Sequence, residues 1–76
     1  MFTKYFDRLK YSTETLGDDL VFAYYFQVDN EIIEKRWYSK DLVGEIQISD
    51  LENKNVIVDV FVKDVNGNIT VSKYSL

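Results

Sequence analysis

The stretch Leu20-Val21-Phe22-Ala23-Tyr24-Tyr25-Phe26-Gln27-Val28 decides the fold. Side chains of an extended strand alternate between two faces, so Leu20, Phe22, Tyr24, Phe26 and Val28 share one side. Val21, Ala23, Tyr25 and Gln27 share the other. Both sides carry apolar or aromatic groups. That pattern predicts a central strand covered on one face and partly covered on the opposite one.

Working outward, Asp29-Asn30 reads as a tight turn, because both residue types tolerate the left-handed backbone that two-residue hairpins need. The chain then returns from Glu31 to Tyr38 with Ile33, Trp37 and Tyr38 as its apolar content. Glu34-Lys35-Arg36 suits an edge strand, where charge discourages pairing with another molecule. Ile46 and Ile48 alternate with Glu45, Gln47 and Ser49, a half-buried strand with one wet face. Asp50 to Asn55 is polar and loop-like, with Leu51 as its buried anchor.

Val56, Val58, Val60 and Val62 then give the cleanest period of two in the chain, with Ile57, Asp59, Phe61 and Lys63 opposite. Asp64-Val65-Asn66-Gly67-Asn68 turns the chain into a closing strand. There Ile69, Val71 and Lys73 alternate with Thr70, Ser72 and Tyr74. Before Leu20 the pattern is looser. Phe6 to Thr15 is read as one strand of a second sheet, followed by a turn at Gly17-Asp18-Asp19, with a helix over Tyr5 to Lys10 as the competing assignment. Residues 1–76 form one domain of about six or seven short strands joined by polar turns, the pattern of a small antiparallel β-sandwich. Residues 1–19 supply its first strand or strands.

Composition narrows the chemistry. With no Cys and no His, disulfides, thiolate sites and imidazole catalysis are all excluded. Stability must come from apolar burial, and aromatics at 16% supply it. A formal charge of −4 disfavours nucleic acid, which is gripped mainly through a basic stripe. It disfavours anionic membrane surfaces too. The opening residues meet charge too early for a secretory apolar region. No run approaches the roughly 20 apolar residues of a membrane-spanning helix. The compartment stays open, and no cofactor is implied.

The aromatic strand Phe22-Ala23-Tyr24-Tyr25-Phe26, the short turn after it, the Trp37-Tyr38 pair and a Val-rich strand ending in Asp64-x-Asn66-Gly67 together carry a resemblance. Over Leu20 to Leu76 the chain resembles bacterial three-Y (Y_Y_Y) domains. These are fibronectin type III-like, immunoglobulin-like sandwiches found in sensor proteins, with similar modules appended to surface-glycan and secretion-associated proteins. The resemblance implies a non-catalytic accessory module working inside a larger assembly. One departure stands out: Asn53-Lys54-Asn55-Val56 occupies the place where such domains carry Gly-x-Tyr, so a tyrosine corner is not expected.

Trp37, Tyr38 and Tyr25 are the candidate contact residues. Adjacent aromatics on an edge-like strand can anchor a protein partner or stack on a sugar ring. The favoured expectation is nevertheless that alternation sends one of Trp37 and Tyr38 into the inter-sheet core and leaves the other covering a loop. Of Tyr24 and Tyr25, which point to opposite faces, one belongs in the core and the other on an outer face near Trp37 or Tyr38. An apolar patch there beyond a few hundred Å² marks a docking surface.

Other motifs carry less. The Asp64–Asn68 run has its Gly too early for a calcium loop and reads as a hairpin turn. Asp18-Asp19, Asp50 with Glu52, and Asp59 have no spacing that forces two carboxylates to converge across a cleft. Asp59 is expected to face solvent, opposite a cation such as Arg36. Asn68-Ile69-Thr70 fits a glycosylation acceptor, relevant only in a secretory host. The resulting expectation is an interaction module for a protein partner or the rest of a larger chain, with glycan binding as the alternative. Edge-strand pairing offers a route to homo-oligomers.

Overall fold

The computed structural model describes residues 1–13 and 19–76. Seven strands run through them: β1 (Phe2–Lys4), β2 (Arg8–Ser12), β3 (Val21–Val28), β4 (Glu31–Ser39), β5 (Val43–Gln47), β6 (Val56–Lys63) and β7 (Ile69–Ser75). They pair antiparallel into a three-stranded sheet, β1-β2-β5, and a four-stranded sheet, β4-β3-β6-β7. The chain is a small all-β sandwich.

Alternation explains which faces meet. From β3 come Phe22, Tyr24, Phe26 and Val28, and from β6 Val56, Val58 and Val60; Leu9, Tyr11 and Ile46 face them from the smaller sheet. Leu51, on a single 3-10 turn (Leu51–Asn53), is fully buried and plugs one end, as its isolation in a polar loop predicts. Both hairpins follow local chemistry. Asp29 and Asn30 have φ of 51° and 70°, the left-handed pair of a two-residue turn. At the second hairpin Gly67 takes φ 84° after a turn closed by its N–H donating to the Asp64 carbonyl at 3.0 Å. This is the three-residue loop with glycine in the left-handed position.

Tyr11 is the centre of the aromatic core. Its ring lies 4.8 Å from Tyr24 and 5.6 Å from Phe26. It pairs in register with Gly44 and lies across that residue, so a Cβ at 44 would overlap the hydroxyl end of the phenol ring. Only glycine leaves the space. Arg36 then ties the flank between the sheets. It donates to the Tyr11 hydroxyl at 3.4 Å and to the Glu45 carbonyl on β5 at 3.0 Å, while the Glu34 carboxylate accepts two of its N–H groups. The buried Tyr24 hydroxyl lies 3.0 Å from Thr13 Oγ1. Burial raises the Tyr24 phenol above its ordinary value, partly countered by that bond.

The structure refines three sequence expectations. Phe6 to Thr15 holds one strand of the second sheet, β2, as expected, but another strand precedes it. The chain forms β1, turns with the Tyr5 N–H donating to the Arg8 carbonyl at 2.8 Å, and only then enters β2. Three residues are too few to show a period, which is why β1 escaped notice. Glu14 and Thr15 at its expected end, and Gly17-Asp18 of the expected turn, fall outside the described residues. The strand read around Ile46 and Ile48 starts earlier, at Val43, because Tyr11 and Ser12 pair with Gly44 and Val43. Ile33, counted as apolar content of its strand, is exposed.

Candidate functional site

The outer face of the four-stranded sheet, away from the core, carries the site. Across β3 and β6, Ala23 pairs with Phe61 and Tyr25 with Asp59; across β6 and β7, Phe61 pairs with Val71 and Lys63 with Ile69. Residues directly opposite in a ladder share a face. Ala23, Tyr25, Phe61, Ile69 and Val71 therefore form one apolar surface.

On the far side β4 breaks the alternation. Phe22 pairs with Ser39 and Tyr24 with Arg36, so Trp37 and Tyr38 together stand opposite the single residue Ala23. This is a β-bulge, with one extra residue inserted and its side chain re-aimed. The bulge overturns the expectation that one of the pair enters the core. Trp37 is 72% exposed and Tyr38 half-buried, and both line the same groove as Tyr25. All three candidates named from the sequence are thus brought together.

The groove holds about 220 Å³ and is lined by Ala23, Tyr25, Trp37, Tyr38, Phe61, Ile69 and Val71. Tyr25 and Phe61 make its floor, centroids 4.8 Å apart. Trp37 stands edge-on to Tyr38 at 5.2 Å and 82°. A wider recess of about 490 Å³ lies against the smaller sheet, but its lining is mixed, with Lys10 and Glu45 already paired at 3.8 Å. The smaller groove is the better contact site because its apolar walls lack partners.

Cations rim it. Lys63 Nζ sits 4.3 Å from the Tyr38 ring centroid and Lys35 Nζ 5.2 Å from that of Tyr25, both within cation–π range. Lys73 Nζ lies 3.9 Å from Asp59 Oδ1. Asp59 does occupy the outer face opposite a cation, as expected, but that cation is Lys73 and not Arg36, and the Asp59 side chain is only 13% exposed. Arg36 sits on the core side of β4, in register with Tyr24. The second Asp59 oxygen accepts from Gln27 at 3.1 Å, while Oδ1 is buried without a hydrogen-bond donor.

Asp64 and Asp50 serve turns. Asp64 accepts from the N–H groups of Asn66 and Asn68, each at 2.9 Å, and from the Asn68 amide at 3.2 Å. The Asn68 bonds lead in holding it below the usual carboxylate range. Asp50 Oδ1 accepts from Asn53 at 2.7 Å. Each is used where it stands.

Sequence reading missed that Ala23, Phe61, Ile69 and Val71 belong to the site. The available signal was the apolar outer face of three strands; what it lacked was the order of strands in the sheet. None of the family models, curated proteins or solved structures compared with the chain matches it.

Proposed function

We propose that the chain is a non-catalytic interaction module, a fibronectin type III-like sandwich that docks a protein partner through the outer face of β4-β3-β6-β7. The observation that carries this reading is Trp37, 72% exposed beside a groove of Tyr25, Tyr38 and Phe61. Exposed aromatics over an apolar floor are the anchors that dominate interface energetics. The resemblance to three-Y domains supports placing the module within a larger bacterial surface, sensor or glycan-related system.

Carbohydrate binding is the second reading, and the exposure of Trp37 favours it. Two features weigh against it. Trp37 and Tyr38 meet at 82°, forming a notch and not a flat stacking platform. The groove lining also offers few hydrogen-bonding groups for sugar hydroxyls.

The test is selection of a random displayed-peptide library on the folded protein, alongside a glycan array. Trp37→Ala should leave the fold intact, since so exposed a side chain contributes at most about 1–2 kcal/mol by burial. Selected peptides are expected to shift the emission of the single Trp and to lose binding to Trp37→Ala. Binders indifferent to Trp37→Ala, or binding by glycans alone, would defeat the protein-docking reading.

A further inference from the structure

The ladder between β6 and β7 has a determinable phase. At one end the Asp64 N–H donates to the Asn68 carbonyl at 3.0 Å; at the other the Leu76 N–H donates to the Val56 carbonyl at 2.8 Å. In an antiparallel ladder, hydrogen-bonded and non-hydrogen-bonded pairs alternate. With the register Lys63↔Ile69 through Ile57↔Ser75, Thr70, Ser72 and Tyr74 bond to β6. Ile69, Val71, Lys73 and Ser75 therefore turn their N–H and C=O groups away from it, toward the open edge. The side chains of Ile69, Val71 and Lys73 lie on the docking face already described.

Edges elsewhere among the described residues are protected. β4 is broken by register shifts at Trp37-Tyr38 and at Ile33, and it carries Glu31, Glu34, Lys35 and Arg36. β1 has three residues, and on β5 the Glu45 carbonyl accepts from Arg36. β7 pairs without a shift over seven residues, and its one charged side chain is Lys73. Long, regular edges with little charge accept further strands.

We propose that β7 is an acceptor edge for an extended, acidic segment of another protein, which adds as a fifth strand to this sheet. The inference rests on the docking-face reading and states how the partner is held. Backbone bonds run to Ile69, Val71 and Lys73, apolar side chains of the added strand lie beside Ile69 and Val71, and its carboxylate meets Lys73 on the edge strand itself. Charge selects this occupant. Among the described residues the outer face carries Lys35, Lys63 and Lys73 against Asp59, although the chain as a whole is −4. A second copy pairing β7 with β7 would bring no carboxylate to that edge, because Ile69–Ser75 contains none.

The experiment titrates a capped seven-residue peptide, alternating valine and threonine with a glutamate at each end, into the ¹⁵N-labelled full chain. Its lysine-ended counterpart is the control. Shifts are expected at the N–H groups of Ile69, Val71 and Lys73, exceeding those at Thr70, Ser72 and Tyr74. The lysine peptide should bind at least about tenfold more weakly. Val71→Pro removes an N–H that β6 does not use, so it should fold yet weaken binding about tenfold or more, and by more than Val71→Ala, which loses the same side-chain contact but keeps the N–H. Ser75→Pro, nearer the strand end, repeats the test should Val71→Pro melt early.

Unchanged affinity in the proline variants, or no binding at millimolar peptide, overturns strand addition. If Trp37→Ala still abolishes binding of the selected peptides, the docking face itself survives. Equal binding of both peptides overturns the acidic preference. Concentration-dependent dimers lost in Val71→Pro would assign the edge to a second copy instead.

Discussion

Replacing Gly44 by alanine tests the packing on which the sandwich depends. The new methyl would overlap the hydroxyl end of the Tyr11 ring. That ring is 4% exposed and enclosed by Tyr24, Phe26 and Phe2, so it cannot swing aside without displacing other aromatics. Overpacking of this kind costs about 1–3 kcal/mol. The ring displacement that relieves the overlap also forfeits an aromatic pair worth about 0.5–1.5 kcal/mol and the contact with Arg36. Together these give about 2–4 kcal/mol, from a total on the order of 4–11 kcal/mol for 76 residues. The melting temperature should fall by roughly 10–25 °C. Urea unfolding followed by far-UV dichroism is the suitable assay, since the single Trp is exposed and reports poorly on the core. In a Tyr11→Leu background the same substitution should cost less than about 1 kcal/mol, because the overlapping ring is gone. A Gly44→Ala protein within about 0.5 kcal/mol of the parent would refute this account of the core.

Two further outcomes follow from buried polar groups. Burial raises the Tyr24 phenol above 10.0, so the folded state holds its proton where the unfolded chain releases it. The associated stability is present in full below pH 10 and lost as pH rises through the raised value. Tyr24→Phe should flatten that alkaline decline in thermal melts, and an unchanged slope would contradict it. Asp59 keeps a buried oxygen without a donor, its Lys73 partner 3.9 Å away and largely exposed. Replacing a poorly compensated buried charge by an apolar group of similar size is often stabilising. Asp59→Val should therefore raise stability by about 1 kcal/mol in urea unfolding; a loss of that size would show the ion pair to be worth more than its geometry suggests.

The sequence by itself determined the strand identities of β3, β4, β6 and β7, the core faces of β3 and β6, both hairpins and the Leu51 anchor. These are local matters, set by a two-residue period and by residues that accept left-handed backbone. Tyr25, Trp37 and Tyr38 were also legible as contact candidates, since surplus aromatics on strands must go somewhere. Where they went was not local. The bulge opposite Ala23 exists only in the pairing of β4 with β3, and it put both Trp37 and Tyr38 on the outer face, where strict alternation allows only one of them. The same holds for Gly44 beneath Tyr11, for Asp59 beside Lys73, and for Ile69 and Val71 joining the groove. Each depends on which strands neighbour one another and in what register. Tertiary structure decides that, because pairing and packing between segments far apart in the chain carry no signature in either segment alone.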